Sequence, residues 1–183
     1  ILRAVAEINR KQFPRAEQDI QKAIELAPQS PGGYIQMGSL RLAQSKYPEA
    51  EKAYQQALDL APSSPEALSG LINAYVAQKQ IDKAVTAAQA QVAKVPNSSA
   101  LHDLLGTVLF NNKKNLKAAE AELKKATQLD RNNSDAFVKL GQVQFAMGSA
   151  DEAIATYEQS IKDNPREVSF YILAGELYEF KKG

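Results

Sequence analysis

The sequence predicts an all-α fold, a solenoid of antiparallel helix pairs with about eleven helices. Three observations carry that prediction. Prolines recur with a fixed stride: Pro28, Pro62 and Pro96 are 34 residues apart, and a later one falls at Pro165. Small residues keep step, since Ala16, Ala50 and Ala84 share the stride, as do Ala23 and Ala57. Between these marks apolar residues recur three and four apart, in pairs of segments joined by short polar links, and no strands are expected. A period of this size is one helical hairpin copied along the chain.

A partial unit occupies residues 1–28. The second unit, 29–62, is the clearest: Tyr34, Met37, Leu40 and Leu42 mark its first helix, and Tyr47, Ala50, Tyr54, Ala57 and Leu58 its second. The link Ser45-Lys46-Tyr47-Pro48 is short enough to make the two antiparallel neighbours. Pro62 cannot continue the second helix, and Ser63-Ser64-Pro65 supplies turn and cap chemistry for the next. The third unit, 63–96, has Leu68, Leu71, Tyr75, Ala84, Ala88 and Pro96; it departs at Ile72, where glycine is expected, and at Gln91, where alanine is. The fourth, 97–131, has His102, Leu105, Gly106, Leu109, Leu116, Ala119, Leu123 and Ala126. Its link, Asn111-Asn112-Lys113-Lys114-Asn115, is one residue longer, and Arg131 replaces the closing proline. The fifth, 132–165, repeats the second with Phe137, Leu140, Gly141, Gly148, Ala153, Tyr157, Ser160 and Pro165, and 166–183 supplies a first helix only.

Gly38, Gly106, Gly141 and Gly175 fall in mid-helix, where glycine costs about 1 kcal/mol relative to alanine. That cost is offset if the missing side chain lets a neighbouring helix approach. Ala50, Ala84, Ala119 and Ala153 would supply the facing small surface, with Tyr54, Leu123 and Tyr157 filling the gap to the next unit.

Composition narrows the function classes. Of 183 residues, 44% are hydrophobic and 23% charged, in the range of soluble globular proteins. No stretch approaches the roughly 18 apolar residues of a membrane span. A net charge of +1 gives no electrostatic footprint for nucleic acid or an anionic membrane. Without cysteine there are no disulfides and no thiolate chemistry. A cysteine-free chain suits bacterial cytoplasm and periplasm equally. By the repeat arithmetic Ile1-Leu2-Arg3-Ala4 falls inside a helix, and Lys182-Gly183 follows a helix without its pair. The chain therefore reads as a fragment of a longer array, with any leader or anchor outside it.

The pattern aromatic-x-x-Leu-Gly, then Tyr, then Ala-x-x-x-Tyr-x-x-Ala, then Pro is nearly whole in the second and fifth units. In it the chain closely resembles the tetratricopeptide repeat family, over its entire length. In the last piece Tyr171, Gly175 and Tyr178 hold the expected places. The resemblance implies a right-handed superhelix whose concave groove, lined by the first helices, receives extended peptides or helices. The function it implies is a protein-interaction scaffold without enzymatic activity or cofactor. The alternative is a passive structural spacer or self-assembly element.

Carried over residue by residue, the groove positions are Ile35, Ser39 and Leu42, then Ser69, Asn73 and Val76. Asp103, Thr107 and Phe110 follow, then Val138, Gln142 and Phe145, and finally Ile172, Glu176 and Glu179. Phe110 and Phe145 stand at equivalent turns, either as a surface waiting for a ligand or as core of the adjacent hairpin. The family's two-carboxylate clamp does not match: Asn73 could stand for one asparagine, but Ser69 occupies its lysine partner's place and Leu104 the other asparagine's. Recognition would then rest on apolar anchors and neutral hydrogen bonds.

Other candidates carry less. His102 takes the place of Tyr34, Leu68 and Phe137 and reads as a packing residue; only Asp103 adjoins it as a metal partner, on another face. Lys113, Lys114, Lys117, Lys124 and Lys125 form the densest basic cluster, diluted by Glu120 and Glu122. Asp130 to Asp135 reads as a loop with an N-cap, lacking the glycine and closing glutamate of a calcium loop. Carboxylates lie scattered on helix surfaces, such as Glu51 near Lys52, with no catalytic constellation. Phe170, Tyr171, Ile172, Leu173, Tyr178 and Phe180 crowd the last helix, so self-association through uncapped ends is expected.

Overall fold

The structure, a computed structural model, describes residues 2–112 and 115–182. Among these the chain is all-α, with eleven helices and no strand. They form two compact units, Ile1–Val95 and Pro96–Gly183. The first holds α1 (Leu2–Asn9), α2 (Phe13–Leu26), α3 (Pro31–Ala43), α4 (Tyr47–Leu60), α5 (Pro65–Ala77) and α6 (Ile81–Lys94). The second holds α7 (Ser99–Asn112), α8 (Leu116–Leu129), α9 (Ser134–Ala146), α10 (Ala150–Asp163) and α11 (Val168–Lys182).

In the first unit each helix packs on the next, and α3 also touches both α1 and α5. In the second the same holds for consecutive helices, and α7 touches α9. The helix starts follow from local chemistry. Proline occupies the first turn of α2, α3, α4 and α5, where its missing N–H costs nothing. Ser64, Asn115 and Asn133 cap α5, α8 and α9, accepting from the N–H groups of Ala67, Ala118 and Ala136 at 3.2, 3.0 and 3.1 Å.

The links within hairpins share a device that carries no glycine signal in three of four cases. Lys11, Ser45, Lys79 and Gly148 all have positive φ, between 57° and 82°. In each, that residue's N–H reaches the carbonyl three back, and the next N–H reaches the carbonyl five back, as in Ser45 to Leu42 and Lys46 to Arg41. This is the Schellman closure, which normally recruits glycine.

Small residues set the packing, with one correction. Ala16, Ala50, Ala84, Ala119 and Ala153 are all fully buried. An added Cβ at Gly38, Gly106 or Gly141 would lie 2.7 Å from Tyr54 Cε1, 2.6 Å from Leu123 Cγ and 2.3 Å from Tyr157 Cζ. Gly70, which falls outside the expected set, is tighter still, 2.2 Å from Tyr54 Cε1, so the Tyr54 ring is held between α3 and α5. Gly175, expected to sit against a neighbour, has nothing within 4 Å. At the departure Ile72, the position one stride after Tyr54 is Ala88; both are buried, so this repeat has its large and small side chains the other way round at these two positions.

Gln91 also has a structural reason: buried, its side-chain amide donates to the Pro62 carbonyl. Every repeat boundary satisfies the equivalent carbonyl with a side chain. Tyr34, His102 and Tyr171 donate from the first helix to Pro28, Pro96 and Pro165 at 3.2, 2.9 and 3.2 Å. Where that position is apolar, at Leu68 and Phe137, the donor comes from later in the repeat: Gln91 in α6, and Asn164 on Arg131 at 3.1 Å. His102 is thus buried and bonded rather than merely packed, its Nδ1 lying 2.6 Å from Glu122 Oε2.

The first unit's core gathers Ala4, Ala16, Ile20 and Leu40, with Ile8, Phe13, Ile24 and Met37 against it. In the second unit Phe137, Tyr157, Phe170 and Ala174 form a core closed by edge and tilted ring contacts. Each fully buried Ile or Leu contributes about 1.5–3 kcal/mol.

Candidate partner-binding surface

Within the first unit the expected groove residues sit on α3 and α5. Ile35, Ser39 and Leu42 follow one another at i, i+4 and i+7 on α3, and Ser69 and Asn73 are four apart on α5, so each set forms a single stripe. The two stripes line one open cleft of about 560 Å³. Gln36, Ala43, Glu66, Gly70 and the Tyr54 ring complete its walls and floor. Val76, the remaining expected residue on α5, is 44% exposed and lies outside the lining.

The floor is polar and held in place. Ser39 Oγ donates to the Ile35 carbonyl at 3.1 Å, so its lone pair receives the Tyr54 hydroxyl, also at 3.1 Å. Burial pushes the Tyr54 phenol pKa up, only partly countered by the Ser39 bond, so the phenol stays a neutral donor. Asn73 and Glu66 are exposed on the cleft wall. Sequence reasoning missed Tyr54, Gly70 and Glu66 as parts of this surface. The spacing of Glu66, Ser69 and Asn73 along one stripe of α5 is the signal that finds the last.

The second unit treats its expected residues differently. Asp103 is buried, and Lys139 Nζ bonds both its carboxylate oxygens at 2.8 and 2.9 Å. Its charge is therefore committed within the unit rather than offered to a partner. Thr107 Oγ1 donates to the Asp103 carbonyl at 2.7 Å. Val138 is half-buried against the Phe137 core, while Gln142 and Glu176 are exposed. Phe110 is half-buried; Phe145 is 40% exposed and meets Phe180 edge-on, with ring centroids 5.1 Å apart.

Several charged residues elsewhere are paired. Lys124 bonds Glu120 at 2.6 Å, so the basic run is neutralised there; Lys113 and Lys114 lie outside the described residues. Glu51 accepts from Gln78 instead of pairing with Lys52, since adjacent residues on a helix face different ways. Among the described residues no helix is long and apolar enough to cross a membrane, and no group of three or more His, Cys, Asp or Glu could hold a metal ion.

Helical hairpins repeated along the chain define a helical-repeat protein. The chain belongs to the tetratricopeptide repeat family, whose profile matches residues 41–107 and 113–175, more than half of its length. Proteins of this family bind other proteins or peptides and are typically non-enzymatic. No curated protein sequence matches the chain. Solved structures share the fold. Yeast Tom70 superposes with a TM-score of 0.79 at 23% identity, over 98% of this chain and 39% of that one. TTC0263, a thermophilic protein of the same family from Thermus thermophilus, gives 0.65 at 19% identity, over 96% and 95%. YrrB, described as having an unusual peptide-binding site, gives 0.61 at 21% identity, over 96% and 88%.

Proposed function

We propose that this chain is a protein-interaction scaffold that takes an extended segment of a partner along its first helices, with the α3–α5 cleft as the main contact. One observation supports the reading most. Five residues expected at the groove, from two separate repeats, converge on one cleft of about 560 Å³, within the size range of ligand sites. Its walls set aliphatic side chains among hydrogen-bonding groups that are neutral save Glu66, which suits a peptide backbone and one or two apolar anchors. YrrB has the same fold and a peptide-binding site, which is compatible with this use. No enzymatic step, cofactor, nucleic acid or membrane insertion is part of the reading.

The test is affinity capture from native lysate by the wild-type chain and two double variants, Ile35→Glu/Leu42→Glu and Phe110→Glu/Phe145→Glu. A partner lost by the first variant places binding in the cleft. Equal capture by all three would refute it.

A second reading, self-association, is favoured by α11. Val168, Ile172 and Phe180 are 65%, 57% and 64% exposed there, alongside Tyr171 and Tyr178. A sedimentation coefficient that rises with concentration, and stops rising in Ile172→Glu/Phe180→Glu, would support it; a concentration-independent monomer would end it.

A further inference from the structure

The α3–α5 cleft carries a charge pattern that selects among partner segments. On α3 the sole cation, Arg41, is turned to Glu17 and Gln44, bonding Gln44 Oε1 at 3.0 Å. On α5 there is none, and no Lys, Arg or His lines the cleft. The one formal charge on its wall is Glu66, exposed in the first turn of α5. Ser64 Oγ bonds Glu66 Oε2 at 3.0 Å, leaving Oε1 open. The chain as a whole is +1, so a preference for cations in this cleft would not come from net charge.

We infer that the segment bound in this cleft is non-acidic and carries one Lys or Arg set against Glu66, next to an aliphatic side chain seated between Ile35 and Leu42. The inference rests on the cleft reading above. Glu66 and Asn73 are seven residues apart on α5, roughly 10 Å along the helix axis. An extended chain covers that in about three residues. The cation of the segment therefore lies about three positions from the backbone group facing Asn73, with the aliphatic anchor between them or beside them. An acidic segment would meet the Glu66 carboxylate with no cation to offset it.

The experiment is selection of a randomised library of acetylated, amidated heptapeptides on the immobilised chain, run in parallel on Glu66→Gln and Glu66→Lys. On the wild type the enriched pool should favour Lys and Arg over Asp and Glu, with an aliphatic residue within three positions. Individual enriched peptides should bind up to about five-fold more tightly than their Lys→Gln forms at low salt, the scale of one exposed charge pair. Glu66→Gln should remove that difference, and Glu66→Lys should enrich acidic peptides instead. Thermal unfolding of both variants, within a few degrees of wild type, separates a charge effect from a frayed α5. Enrichment of neutral or acidic peptides on the wild type would overturn the inference while leaving the cleft reading intact. No enrichment at all would overturn both.

Discussion

Gly141 and Gly175 are one repeat apart in the same unit, and the structure assigns them opposite responses to the same substitution. In either helix, Gly→Ala gains about 1 kcal/mol of propensity. At Gly141 the new Cβ would lie 2.3, 2.4 and 2.5 Å from Tyr157 Cζ, Cε1 and the hydroxyl oxygen. The ring cannot step back freely: it is 3% exposed, its hydroxyl donates to the Val138 carbonyl at 3.3 Å, and Phe170 stands 6.1 Å away, centroid to centroid. Overpacking a core typically costs about 1–3 kcal/mol, and so confined a ring argues for about 3. The net for Gly141→Ala is a loss of about 2 kcal/mol. At Gly175 nothing lies within 4 Å, so Gly175→Ala should stabilise by about 1 kcal/mol. Urea unfolding followed by far-UV circular dichroism reads both, and the two variants should differ by about 3 kcal/mol. Equal and stabilising effects would show that Gly141 is not a packing glycine and would refute the reasoning.

Two further outcomes follow from the same structure. Lys79 holds φ at 60°, where a non-glycine residue loses roughly 1 kcal/mol, so Lys79→Gly should raise stability by a few tenths up to about 1 kcal/mol, and Gly148→Ala (φ 82°) should lower it by about 1; the reverse ordering in thermal melts would contradict the shared turn. The Arg41 hydrogen bond holds the Glu17 carboxyl below its ordinary pKa, and the Lys124 bond does the same for Glu120. Groups depressed in the folded state contribute stability that is fully present above their unfolded pKa of about 4.3 and is lost as pH falls through the folded value. Stability should therefore decline on acidification below about pH 5, less steeply in Arg41→Gln; an unchanged acid limb in that variant would count against the Glu17 contribution.

The stride of prolines and alanines was enough to lay out the helix pairs, because each hairpin must bury the same face against its neighbours. What escaped it are features that residue type does not mark, even where they keep the stride, as Lys11, Ser45 and Lys79 do. Gly70 stands one stride after Gln36, so no periodic signal marks it, yet it admits the Tyr54 ring from the facing helix. Lys11, Ser45 and Lys79 take a backbone conformation that glycine would advertise, and none is glycine. Asp103 shares the groove positions of its repeat, but its charge finds Lys139 on the next first helix, a pairing that depends on lateral packing rather than on spacing along one helix. On α3 and α5 Glu66 is the single charge on the cleft wall.

Backbone amide shift mapping with one enriched heptapeptide tests whether a partner segment lies on the first helices, as proposed. Binding there predicts shifts at Ser39, Glu66, Ser69 and Asn73, with the exposed second-helix residues Gln55, Asp59 and Gln89 unmoved. Shifts confined to those second-helix residues would contradict it.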